Sequence, residues 1–195
     1  MTQAFMNEKT QRLFVAIELP EAVRHLLTEQ QKKLPGIRWT PPDNLHLTVR
    51  FIGEVTRAQA ETIQTSLKSV QLQGFSLRLN GLGFFDKRPQ AVVWAGILPS
   101  PSLTALKQQV DAALTRHADI MADAGRFSPH ITLGRMKQAD PKTLKAFTAG
   151  DNAALTTAFA VQSFSLFSSV LTPGGAVHTV EELYPLLFDK NPTGE

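Results

Sequence analysis

The residues whose types and spacing could do chemistry are two copies of one pattern, His46-Leu47-Thr48-Val49 and His130-Ile131-Thr132-Leu133. Small polar residues alternating with branched apolar ones predict a half-buried strand at each. Positions two apart in a strand share a face. His46 and Thr48 then point one way, while Leu47 and Val49 point into a core. His130 and Thr132 do the same, backed by Ile131 and Leu133. A lone strand histidine is ordinarily a surface residue. Two copies that also match at their apolar positions arise by chance in about one chain in 10⁴–10⁵, so the pair reads as a site.

Two histidines facing one ligand suit acid–base chemistry near neutral pH, one imidazole accepting a proton while the other donates one. Each threonine hydroxyl can donate a hydrogen bond to an anionic oxygen held between them. A phosphodiester fits this layout, attacked in line on one side while its leaving oxygen is protonated on the other. A zinc site would draw three or four ligands from His, Cys and carboxylates. Neither motif contains Asp or Glu and threonine is a poor ligand, so neither a metal nor a cofactor is expected. No Gly-x-Ser-x-Gly elbow supports a serine hydrolase. Gly81-Leu82-Gly83 lacks the full dinucleotide fingerprint and no long helix follows, which leaves glycines at a strand bend.

The elements that must position these residues also come in pairs. The histidines stand 84 residues apart, and at the same offset Phe75 answers to Phe159 and Val93 to Val177. Each motif precedes a predicted helix, 56–70 and 140–149, entered at Thr56 and at Asp140-Pro141. A buried strand at 12–19 runs into a helix from Pro20 to about Leu34, and 92–99 followed by a helix at 101–118 echoes it. Residues 37–40 read as a short strand, Pro41 to Asn44 as a turn, 75–85 as a strand and Asp86-Lys87-Arg88-Pro89 as a charged loop. Strands at 157–170 and 177–183 close the chain around a turn at Thr172-Pro173-Gly174-Gly175, before a frayed end from Lys190 to Glu195. A repeat of this length implies two related, intertwined lobes within one domain spanning 1–195.

Composition narrows the class. With 43% hydrophobic and 19% charged residues the chain is globular. The absence of cysteine excludes disulfides, thiolate nucleophiles and cysteine-ligated metals. No apolar run approaches the roughly 20 residues of a membrane span. Residues 1–10 lack the apolar core of a signal peptide, so a cytoplasmic location is expected. A net charge of +3 and a pI near 9.3 favour an anionic ligand.

The paired motifs resemble those of the 2H phosphoesterase superfamily, and the flanks resemble its bacterial RNA 2′,3′-cyclic phosphodiesterase branch, also called 2′-5′ RNA ligases. The flanks in question are Leu13-Phe14-Val15-Ala16-Ile17, Trp39, Arg50-Phe51-Ile52-Gly53-Glu54, Val93-Trp94-Ala95-Gly96, Gly134-Arg135 and Phe167-Ser168-Ser169 through Gly175. The resemblance implies an α+β, bilobal, pseudo-twofold fold, with two antiparallel sheets facing a central groove and helices outside. It implies metal-independent opening of a 2′,3′-cyclic phosphate at an RNA or nucleotide end to a 2′-phosphate. His46 would be the proton donor and His130 the proton acceptor, with Thr48, Thr132 and Arg135 on the phosphate. Reversible 2′-5′ ligation is the reverse of related bond making, and a non-catalytic nucleotide or RNA-end binding module is the alternative. The expected partner is such an RNA or nucleotide end, with no membrane and a monomeric protein. Strict alternation would turn Arg135 away from His130 unless Gly134 introduces a bulge. Phe84 and Phe85, at the end of a strand beside the charged loop, are the expected base-stacking rings.

Overall fold

The computed structural model describes residues 10–31, 36–87, 89–121, 125–137, 140–150 and 153–187. Of the expectations above, the last turn of the first helix, Arg88 of the charged loop and the chain end from Lys190 lie outside the described residues. In chain order the elements are β1 (Gln11–Glu18), α1 (Glu21–Gln31), β2 (Arg38–Trp39), β3 (His46–Val55), α2 (Arg57–Leu67), β4 (Phe75–Lys87) and β5 (Gln90–Ile97). They continue as α3 (Pro101–Ala118), β6 (His130–Met136), α4 (Pro141–Thr148), β7 (Ala158–Val161), β8 (Ser163–Thr172) and β9 (Gly175–Pro185).

The helices start where side chains satisfy their free N–H groups. Thr56 Oγ1 accepts from Gln59 N at 3.3 Å while Gln59 Oε1 accepts from Thr56 N at 2.9 Å, a reciprocal cap on α2. Asp140 caps α4 by accepting from Lys142 N (3.1 Å) and Thr143 N (3.2 Å), with Pro141 in the first turn. These two helices begin 84 residues apart, as their preceding strands do. Ser100 caps α3 and a left-handed Asp119 (φ 53°) ends it.

The fold is α+β, with antiparallel strands in the order β7-β4-β5-β6-β3-β1-β8-β9 and β2 added to β6. Outward from the β6–β3 junction the order is β5, β4, β7 on one side and β1, β8, β9 on the other. The two lobe sheets meet at one registered pair, Leu47 opposite Ile131, both fully buried. The helices cover the core face: α3 lies against β3, α1 against β6, α2 against β1 and α4 against β4. One cluster of buried apolar residues, running from Leu13 to Leu186, serves both lobes.

The single strand expected at 157–170 is two. β7 pairs with β4 and β8 pairs with β1, so the chain changes lobes at Gln162. The last hairpin, β8–β9, thereby completes the lobe that β1 began.

The two motif strands carry the same irregularity. Between Ala16↔Thr48 and Val15↔Arg50 the β1–β3 ladder skips Val49. Between Trp94↔Thr132 and Val93↔Gly134 the β5–β6 ladder skips Leu133. An extra residue reverses the facing of everything after it. Arg50 and Gly134 therefore turn inward, and Phe51 and Arg135 turn outward. Arg50 is 7% exposed and lies 3.5 Å from Asp111 of α3, with the Met121 carbonyl as a further acceptor. Gly134 has room for nothing: a Cβ there would come 2.5 Å from Ile37 Cγ2 and 2.7 Å from Trp39 Cε3. Gly134→Ala should thus lift β2 from β6 and cost about 1–3 kcal/mol of stability, read from the urea midpoint at unchanged m-value. An unchanged midpoint would contradict this packing.

Candidate active site

The face of β3 and β6 opposite the core carries the two motifs. Carrying the Leu47↔Ile131 register one residue each way sets His46 opposite Thr132 and Thr48 opposite His130. The histidines are then diagonal neighbours, about 7–8 Å apart by ordinary sheet spacing. A groove of about 1020 Å³ opens over His46, Thr48 and Thr132, lined also by Phe51, Arg135 and the β8–β9 turn. His130 stands on the same face two residues before Thr132, between Phe85 (ring centroids 5.0 Å, edge-on) and Trp94 (6.4 Å).

Both imidazoles are held the same way. His46 Nδ1 is 2.7 Å from the Asn44 carbonyl, and His130 Nδ1 is 2.8 Å from the Ser128 carbonyl. A carbonyl only accepts, so each Nδ1 carries the proton and donates it. Each Nε2 is then the free ring nitrogen, able to take a proton or, once charged, to give one. In both cases the acceptor lies two residues upstream, so the orientation is built into the strand entry.

Their surroundings differ. The His46 ring lies 4.9 Å from Phe14 and 6.0 Å from Phe167, which stack on each other at 5.1 Å. His178 of β9 meets it edge-on at 5.3 Å. Burial in this apolar setting holds the His46 imidazole down at about 4, well below the ordinary histidine value; the Asn44 carbonyl raises it, and the charges of His178 and His130 lower it. Burial lowers His178 as well, and among the described residues its Nδ1 has no hydrogen-bond partner. Among the described residues no group of three or more His, Asp or Glu is placed to hold a metal ion, and no helix is long and apolar enough to cross a membrane.

The structure thus brings His46, Thr48, Thr132, His130 and Arg135 to one face, Arg135 by way of the bulge at Leu133. Phe84 requires a correction. Leu77 and Leu79 face the core, and strict alternation from them would put Phe84 on the groove side. Gly81 adopts a left-handed conformation (φ 64°) at a bulge between Leu79 and Leu82, which reverses the facing. Phe84 lies opposite buried Val93 and packs against the core, and Phe85 is the ring beside His130. Gly83 stays bare because the Trp94 ring lies over it, 2.2 Å from where a Cβ would be.

Among the groove residues that the sequence does not mark as site residues are Phe51 and His178. Phe51, 70% exposed, occupies in one lobe the place that Arg135 has in the other, and the 84-residue offset pairs them. His178 falls at the same offset from Trp94. Carrying the repeat past Val93 and Val177 by one residue would have found it.

A mostly antiparallel α+β fold with two histidine–threonine pairs on one sheet face defines a two-histidine phosphoesterase. The model of the family "LigT like Phosphoesterase" matches the chain twice, over residues 17–94 and 97–178. The chain belongs to that family, and the double match is the internal repeat seen again. It is 31% identical over 177 residues to the RNA 2′,3′-cyclic phosphodiesterase of Aquifex aeolicus (strain VF5), covering 88% of this chain and 93% of that protein. It is also 31% identical over 185 residues to the protein of that name from Thermotoga maritima, covering 91% of this chain and 96% of that one. Apo E. coli LigT superposes with a TM-score of 0.76 at 30% identity, covering 91% of this chain and 98% of that one. LigT complexed with 3′-AMP gives 0.74 at 29% identity, covering 91% and 98%.

The titration of His46 has a readable sign. Its folded value lies below the ordinary one of 6.5, so as pH falls from about 6.5 to about 4 the unfolded chain takes up a proton that the folded chain refuses. Stability should fall across that window by on the order of 1–3 kcal/mol, and His46→Gln should remove that part of the slope. Denaturation midpoints between pH 7 and pH 4 check it; parallel slopes for the two proteins would contradict the burial account. His178→Asn should raise the His46 midpoint seen by NMR.

Proposed function

We propose that this protein opens 2′,3′-cyclic phosphates at RNA ends by metal-independent hydrolysis, leaving a 2′-phosphate. The observation that carries the reading is the pair of imidazoles, each fixed as the Nδ1–H form, diagonal across two threonine hydroxyls. The names of the relatives, and the LigT complexes with 3′-AMP and with phosphate, support a phosphate ester as the ligand.

In the proposed reaction Thr48, Thr132 and Arg135 hold the non-bridging oxygens, where fixed donors stabilise growing charge. His130 Nε2 takes a proton from water as the water oxygen bonds to phosphorus. The P–O3′ bond breaks, and His46 Nε2–H delivers a proton to the departing 3′ oxygen. Exchange with solvent restores both histidines. A ribose 5′ hydroxyl in place of water would give a 2′-5′ linkage by the same steps.

The unliganded state sets a condition on His46. With its pKa near 4 it is neutral at neutral pH, the state of a base and not of an acid. A phosphodiester anion beside it favours the imidazolium. Binding and proton uptake at His46 are therefore coupled in this reading.

A 2′,3′-cyclic nucleotide should be turned over undiminished in EDTA; no turnover, or turnover lost to EDTA, sinks the proposal. For the roles, His46→Ala and His130→Ala should each lose about 10²–10⁴-fold in kcat. A diester with an activated leaving group needs no proton on departure, so it should restore much of the His46→Ala rate and none of the His130→Ala rate. Rescue of His130→Ala instead, with a 3′-phosphate product, would exchange the roles.

A further inference from the structure

Beyond the histidine–threonine square the groove continues along β6. One edge of β6 pairs with β3 at Ile131 and then with β2 at Gly134 and Arg135. Arg38 of β2 lies directly opposite Arg135, and both line the groove. Like charges directly opposite on neighbouring strands repel unless something anionic lies between them. Both side chains are exposed, and among the described residues neither has a carboxylate within ion-pair distance. Arg12 lines the groove from β1, also without such a partner.

Arg38 is held in place. Its Nη2 donates to the Gly174 carbonyl at 2.9 Å, fastening β2 to the tip of the β8–β9 hairpin. Gly175, at φ 136°, lies so close that a Cβ would come 2.9 Å from the same Nη2. Asn44 Nδ2 pins the hairpin a second time, donating to the Ala176 carbonyl at 2.8 Å. A guanidinium has five N–H donors, and one bond to a carbonyl leaves the rest for a ligand. The backbone of Arg38, opposite Arg135, stands about 10 Å past Thr132 along the strand, which leaves Arg135 to reach back to the reacting phosphate and Arg38 for an anion beyond it. A groove of about 1020 Å³ lies at the top of the range of small-molecule pockets.

We propose that Arg38, across the strand pair from Arg135, forms a second anion subsite that takes the phosphodiester preceding the cyclic phosphate, so that the groove selects an RNA 3′ end over a free nucleotide. The inference rests on the reaction proposed above, and its test separates the two. Wild-type protein is given a 2′,3′-cyclic mononucleotide and a short oligoribonucleotide ending in the same cyclic phosphate. The oligonucleotide should have a kcat/KM at least tenfold higher at low salt. Arg38→Gln should cut the oligonucleotide-to-mononucleotide ratio about tenfold, mainly through KM, with Arg38→Lys in between because it keeps charge and loses the fork. In parallel, anisotropy with an oligoribonucleotide ending in a 2′-phosphate should show weaker binding to Arg38→Gln, with a log–log salt slope smaller by about 0.7. An unchanged ratio, or an unchanged salt slope, overturns the subsite. If wild type turns over neither substrate, the hydrolysis reading fails, and the binding arm still decides the subsite: equal binding by wild type and Arg38→Gln overturns it, and weaker, less salt-dependent binding by the variant supports it.

Discussion

The site depends on one backbone contact, the pairing of Leu47 with Ile131 where the two lobes meet. Both side chains are fully buried beneath the sheet. Removing either down to alanine would cost about 2–5 kcal/mol, enough to matter against a total stability of 5–15. Because the side-chain period of a strand is two, burying Leu47 and Ile131 obliges His46, Thr48, His130 and Thr132 to face the other way. A one-residue slip of either strand would bury imidazoles and expose aliphatic side chains. The hydrophobic core thus enforces the position of the polar groups, and no bond between those groups is needed to hold the square.

Duplication explains the likeness of the two halves, and substitution within the duplicate explains their difference. Both motif strands bulge at the residue after the threonine, at Val49 and Leu133. Both histidines donate to a carbonyl two residues upstream. The residues that the bulges re-aim have diverged. One lobe turns Arg50 into the core beside Asp111 and sends Phe51 to the groove, while the other tucks Gly134 under β2 and sends out Arg135. The groove so gains an apolar ring on one wall and a cation on the other. His46 has Phe14, Phe167 and His178 around it, where His130 has Phe85 and Trp94. A symmetric pair could not tell acid from base; unlike neighbours remove that symmetry.

What was legible in the sequence is what alternation and end-capping control. The motif strands, the capped helices α2 and α4 and the 84-residue repeat all follow from local residue choice. Alternation fails wherever one residue is added. The bulge at Leu133 carries Arg135 to the site, and Gly134 after it was the visible cue. The bulge at Gly81 carries Phe84 away from the groove, although the same glycine was readable as a bend. Tertiary choices were not legible at all. Nothing in Val161-Gln162-Ser163 says that β7 joins one lobe and β8 the other, because each strand is satisfied by either neighbour and only the assembled core decides. The repeat offset marks the position of His178, but its contact with His46 was not legible, since the two meet only after that hairpin has crossed.

Placing a proposed acid where its charge is unwelcome has a consequence for selectivity. The stacked pair Phe14 and Phe167 supplies low polarity under His46, and His178 at its edge offers no counter-charge. The imidazolium is therefore costly until an anion arrives, and proton and anion favour each other's binding by linkage. A neutral ligand of the same shape would gain contacts with the threonines but could not bring the proton with it. Had His46 instead been paired with a carboxylate, it would stay charged in the empty groove and the ligand would gain less from it. On the proposed roles the apolar cage makes protonation of His46 conditional on the ligand's charge, which ties the chemistry of the site to the one feature that every phosphodiester shares.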